Sequence, residues 1–131
     1  MPVRMSRRRA LQLGVAGAAV AASAPALAHH GWNWAEDQQS ELSGTVKSVS
    51  MAPPHPSLKV TAADGKEWLI DLANPNQTER SGFTAASAKP GDGIVVLGNR
   101  SKDKSQLWMK AVRITVAGKS YDLYPERIKT N

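Results

Sequence analysis

At 131 residues the chain has room for one ordinary domain and a short extension. It contains no cysteine, which excludes disulfides, thiolate metal sites and cysteine nucleophiles, so the fold must hold by packing alone. The formal charge is +6, but Arg4, Arg7, Arg8 and Arg9 fall in the first nine positions; beyond residue 28 thirteen basic residues face eleven acidic ones, a net +2 that argues against a nucleic-acid-binding face.

Positions 1–28 read as an export signal. A basic start leads into an Ala- and Gly-rich apolar stretch from Ala10 to Ala22. That stretch is shorter and less apolar than the roughly 20 strongly apolar residues of a stable membrane span. Ala26 and Ala28 form an A-x-A cleavage site, with Ala24 and Ala26 as a second choice. The run Ser6-Arg7-Arg8-Arg9-Ala10-Leu11-Gln12 resembles a twin-arginine signal with Arg7 and Arg8 as the pair, although Ala10 and Gln12 replace the usual Phe and Lys. A general secretory signal is the alternative. Either route places the mature protein in the periplasm or outside the cell, with no membrane span after processing.

Residues 29–40 form an N-terminal arm, polar from Glu36 to Ser40, and residues 41–131 form the folded domain. Strand signals follow closely. Leu42, Gly44 and Val46 alternate with polar neighbours, and the apolar phase then moves to Val49 and Met51, which predicts a bulge or bend. Pro53, Pro54 and Pro56 supply no amide donors and force a loop around His55. Leu58, Val60 and Ala62 make a second strand, Asp64-Gly65 a hairpin turn, and Trp68, Ile70 and Leu72 a third strand. A short helix follows, with Asn74 as cap, Pro75 at its first position, Gln77 as capping-box partner and Gly82 as stop. After the Lys89-Pro90-Gly91-Asp92 turn, Ile94 to Leu97 is a continuous apolar run, expected to be buried on both sides. Residues 99–105 form a polar loop. Leu107 to Val116 is a long strand whose phase also switches, between Ala111 and Val112; Ala117-Gly118-Lys119 then turns into a terminal strand from Tyr121 to Tyr124.

The chain is therefore all-β, and its order (three strands, short helix, two or three strands) is that of a small five- to six-stranded OB-like Greek-key barrel with its one helix between strands three and four. Bends in strands one and five are what closure requires. A small open β-sandwich with the same strand count is the alternative.

The segments His29-His30-Gly31-Trp32, Leu42-Ser43-Gly44-Thr45-Val46, Pro54-His55-Pro56, Thr78-Glu79-Arg80-Ser81-Gly82-Phe83, Pro90-Gly91-Asp92, Gly98-Asn99-Arg100 and Met109-Lys110-Ala111-Val112-Arg113 resemble an exported bacterial family catalogued as domain of unknown function 6152. The resemblance covers nearly the whole mature chain. It implies an exported OB-like domain and brings no catalytic residue with it.

Chemistry concentrates in the three histidines, His29, His30 and His55. Cleavage after Ala28 would make His29 the new N-terminus, whose amine and imidazole can chelate one metal together. Cleavage after Ala26 would put His29 third from the N-terminus, also a strong Cu(II) chelator. An all-nitrogen set of His29, His30 and His55 suits copper rather than a closed zinc site. Met51 and Met109 are possible thioether donors for Cu(I). Against this, a His pair at a chain end is often only a solvated terminus. Trp32 and Trp34 beside the pair can anchor the arm on the barrel. A second candidate is a ligand face of Trp108 with Arg100, Lys102, Lys104, Lys110 and Arg113, against the simpler reading of solvated charges.

Hydrolytic chemistry has little behind it. His55, Ser57 and Asp71 make a triad on paper, but no strained nucleophile turn accompanies them. Glu36 and Asp37 sit in the polar lead-in, and no phosphate loop is present.

The leading expectation is an exported, non-enzymatic binding module holding copper through His29, His30 and His55. The alternative is a metal-free module that binds a small ligand or a periplasmic partner protein through the Trp108 face. A copper redox enzyme is a third reading, with no substrate surface to support it.

Overall fold

A computed structural model describes residues 31–129 of the chain. These fall in two compact units, one ending at Trp34 and one beginning at Ala35. Among the described residues of the first unit, Trp32 is half-buried and Trp34 buried. The expected leader, with Arg7, Arg8, Ala26 and Ala28, lies outside the described residues, as do His29 and His30.

The second unit is all-β. Its strands are β1 (Ser40–Ser50), β2 (Ser57–Ala62), β3 (Glu67–Asp71), β4 (Gly93–Arg100), β5 (Trp108–Val116) and β6 (Lys119–Asp122). One short helix, α1 (Pro75–Arg80), joins β3 to β4, and a single 3-10 turn (Pro125–Arg127) follows β6. The hydrogen-bonded order is β3-β2-β1-β4-β5-β6, and a parallel β3–β5 pairing closes the first five strands into a barrel. β6 extends the sheet beyond β5. This unit is thus a small OB-like barrel with one added strand, not an open sandwich. Among the described residues no helix is long and apolar enough to cross a membrane.

Both expected bends are present, and each is a bulge. On β1, Val46 pairs with Val60 and Ser48 with Lys59, so Lys47 is the extra residue. One inserted residue exchanges the faces of a strand, so Val46 is buried before the bulge and Val49 packs on the core after it. On β5, Leu97 faces Arg113 and Gly98 faces Ala111, which leaves Val112 unpaired in that ladder. Its carbonyl accepts hydrogen bonds from the Leu123 and Tyr124 amides instead, so the bulge fixes the C-terminal segment.

The barrel interior holds Val46, Leu58, Val60, Trp68, Ile70, Leu72, Val96, Met109, Ile114 and Val116. Phe83, just after α1, joins them with its ring edge-on to Tyr121, centroids 5.4 Å apart. β4 departs from expectation. Ile94 and Val96 are buried, but Val95 is 36% exposed and Leu97 only half-buried. The outer wall of β4 is left open around Val95, and β-branched residues suit a pleated surface whether or not it is buried.

α1 begins as expected: the Asn74 side chain accepts from the Gln77 amide at 2.8 Å and Pro75 occupies the first turn. Gln77 does not complete a capping box. Its side-chain amide donates to the Leu123 carbonyl at 2.8 Å and ties the helix to the chain beyond β6. β6 starts at Lys119 rather than Tyr121, because Ala117 and Gly118 alone make the turn, both at positive φ.

Candidate functional site

The site follows from the closure of the barrel. On β3 and β5, Ile70 and Met109 are paired and point into the core. Strand alternation then sends Leu69, Asp71, Trp108 and Lys110 to the outer wall. Leu69 is 38% exposed there, as an outer residue should be. Asp71 and Lys110, register partners across the parallel seam, are only 4% and 8% exposed. Two opposite charges on the outside of a barrel are thus covered.

The cover includes the β1–β2 loop and the segment after β6. The Leu72 amide donates to the Pro56 carbonyl at 3.0 Å, which holds the loop against the end of β3. His55, one residue earlier, places Nε2 3.9 Å from Asp71 Oδ2, within ion-pair range but longer than a hydrogen bond. The Trp108 indole N–H donates to the same Oδ2 at 2.9 Å. The Lys110 ammonium lies 5.8 Å from the centre of the Tyr124 ring. The peptide bond between Pro53 and Pro54 in the loop is cis.

Burial governs the electrostatics. Desolvation pushes the Asp71 carboxyl above its usual range, while His55, the Trp108 hydrogen bond and the Lys110 charge pull it back. Desolvation likewise pushes Lys110 below the usual lysine range, against the attraction of Asp71. Tyr124 is raised, chiefly by burial. The attraction within the Asp71–Lys110 pair therefore does not repay the loss of water around either charge.

His55 carries a further feature. Its Nδ1 is buried and has no hydrogen-bond partner, although a third of the side chain is exposed. Among the described residues no three histidine, aspartate or glutamate side chains come together as a metal cage; His55 and Asp71 are a pair. Ser57 is the register partner of Asp71, so His55, Ser57 and Asp71 do share one region. A hydrolytic relay would need the serine hydroxyl on the ring nitrogen away from the carboxylate, and that nitrogen is the unpartnered Nδ1.

The expected ligand face is dispersed. Trp108 and Lys110 belong to the Asp71 cluster. Arg100 pairs with the core residue Met109, and its guanidinium lies 4.9 Å from the centre of the Trp68 ring. Arg113 forms a two-pronged contact with Asp122, at 2.6 and 3.2 Å, on an exposed part of the wall. Lys104 pairs with Glu36, and Lys102 is exposed. Met51 is exposed, whereas Met109 is buried in the core. The segment Glu36–Asp37 is held to β4 by the Asn99 side chain, which donates to both carbonyls. The Asp71–Lys110–Tyr124 cluster leaves no local signal in the sequence, because it depends on a parallel pairing between strands far apart in the chain.

Among solved structures, a ZRD-deleted mutant of TiaS in complex with agmatine is similar, with a TM-score of 0.51 and 14% identity over 70% of this chain and 28% of that one. The likeness is one of fold. No curated protein matches the chain. The family of unknown function DUF6152 matches residues 18–109, across the β1–β2 loop and β3 and ending at the start of β5, and the chain belongs to that family.

Proposed function

We propose that the protein is an exported, non-enzymatic binding module whose imidazoles take copper. Residues 1–28 serve as its twin-arginine signal, and the mature protein acts in the periplasm. The donors are His29 and His30 near the new N-terminus and His55 in the β1–β2 loop. The observation that carries the reading is the buried, unpartnered Nδ1 of His55. A buried acceptor without a donor costs about 1–3 kcal/mol, and a cation meeting its lone pair removes that cost. Neutral imidazole nitrogen is a good ligand for Cu(II), which heads the divalent affinity order.

The test has two parts. Mass spectrometry of the exported protein fixes its N-terminus, expected at His29 or Leu27. Cu(II) titration of that protein is then compared with His29→Ala and His55→Ala variants. Each substitution is expected to weaken binding; affinity equal to wild type in both variants would overturn the reading.

A further inference from the structure

We infer that Asp71 is a positioning residue: it holds His55 with its proton on Nε2 and so reserves the Nδ1 lone pair for a ligand. That this ligand is copper rests on the reading above; the proton placement does not.

The geometry is specific to one oxygen. Asp71 Oδ2 faces His55 Nε2 at 3.9 Å and accepts the Trp108 indole N–H at 2.9 Å. The carboxylate is anchored at the end of a core strand, with Lys110 beside it in register. A neutral imidazole has one N–H, and a carboxylate beside one ring nitrogen favours the proton there. The other nitrogen is then the acceptor, and Nδ1, turned away from the carboxylate, is the buried one. Metal-binding histidines commonly use this arrangement, one nitrogen on the ion and the other directed at a carboxylate that fixes the ring.

Backbone and charge support the same role. Pro54 and Pro56 flank His55 and restrict φ on either side, which limits the entropy lost when the ring is held. The indole leaves Oδ2 little freedom to turn away. A metal-binding imidazole with its second nitrogen unsupported would be free to rotate; here the support stands in a scaffold strand rather than in the loop.

The experiment reads both halves on the full exported chain. Two-bond nitrogen–proton NMR at a pH where His55 is neutral is expected to show the Nε2–H tautomer in wild type. Asp71→Asn is expected to mix the tautomers or shift the proton to Nδ1, with the fold checked by tryptophan fluorescence. Trp108→Phe keeps the carboxylate and loosens it, and is expected to shift the balance less, in the same direction. In Cu(II) titration Asp71→Asn should bind about 10–100-fold more weakly than wild type, with a changed Cu(II) electron-spin spectrum. A wild-type proton on Nδ1, or a tautomer unchanged in both variants, overturns the inference. If His55→Ala weakens copper binding and Asp71→Asn does not, the positioning role is refuted while the copper reading stands. If His55→Ala binds copper like wild type, His55 is no copper ligand, and the tautomer result still decides the role of Asp71.

Discussion

Replacing Lys110 by methionine tests whether the β3–β5 seam carries a charge pair whose worth depends on pH. Asp71 and Lys110 are 4% and 8% exposed and face each other on adjacent strands. Lys110 is one of the charges that draw the Asp71 carboxyl down. Two unit charges about 5–8 Å apart attract by about 2–3 kcal/mol at an effective dielectric of about 20. Methionine keeps much of the apolar stem and removes the desolvation penalty of the ammonium, which offsets part of that loss. The expected net cost at neutral pH is about 1–3 kcal/mol.

The sign with pH is the sharper signature. Burial holds the Asp71 carboxyl above its usual value of 3.8, and Lys110 is one of the groups pulling it down. Without Lys110 it rises further. A carboxyl raised in the folded state keeps its proton longer there than in the unfolded chain. Stability is then fullest below the unfolded value and is lost as pH climbs through the raised folded value. The Lys110→Met deficit should therefore be large at neutral pH and vanish in acid, where the variant, free of a buried ammonium, matches or exceeds wild type. Urea unfolding of metal-free protein across a pH series measures this. A deficit independent of pH, or none at neutrality, would refute the account of the seam.

Two further changes probe the barrel itself. A β-carbon at Gly98 would overlap the Lys110 carbonyl oxygen where β4 crosses the Val112 bulge, so Gly98→Ala should destabilise by about 1–3 kcal/mol in urea unfolding. Ala117 sits at φ 52° in the exposed β5–β6 turn, so Ala117→Gly should raise the thermal midpoint, by about 1 kcal/mol of stability at most, and a lower midpoint would contradict the strain assigned there.

How far the sequence reaches is clear from particular residues. The shift of apolar phase from Val46 to Val49 identifies the β1 bulge, because a one-residue insertion must exchange faces. The same signal between Ala111 and Val112 identifies the bulge on β5. Turn and cap chemistry at Asp64-Gly65 and Asn74-Pro75 is local and equally readable. Burial of Val95 is not, since an apolar run is compatible with a covered wall or an open one. Nor can local sequence reveal that Gln77 has a partner at Leu123. The site suffers most. Lys110 reads as one more solvated charge on a strand until β3 and β5 are paired, and only then does its neighbour become Asp71. His55 was legible as a candidate, but its relation to Asp71 comes from the loop folding back over the end of β3.

A small domain has about 5–15 kcal/mol of net stability, so a buried carboxylate and ammonium on its wall are a large charge against it. Nothing in the barrel architecture calls for them: the core is apolar and continuous, and the seam is already joined by backbone hydrogen bonds. Replacing a buried pair with apolar residues of similar size is often neutral or stabilising. The double variant Asp71→Leu, Lys110→Met should therefore fold with stability within about 1 kcal/mol of wild type, or above it, although Lys110→Met alone is costly. If the pair serves His55, that same protein should lose both the Nε2–H tautomer and the copper affinity that depends on it. Unfolding by urea reads the first outcome, and NMR with Cu(II) titration reads the second. A double variant that barely folds would make the pair a structural element; one that folds and keeps the tautomer would separate the buried charges from the histidine they face.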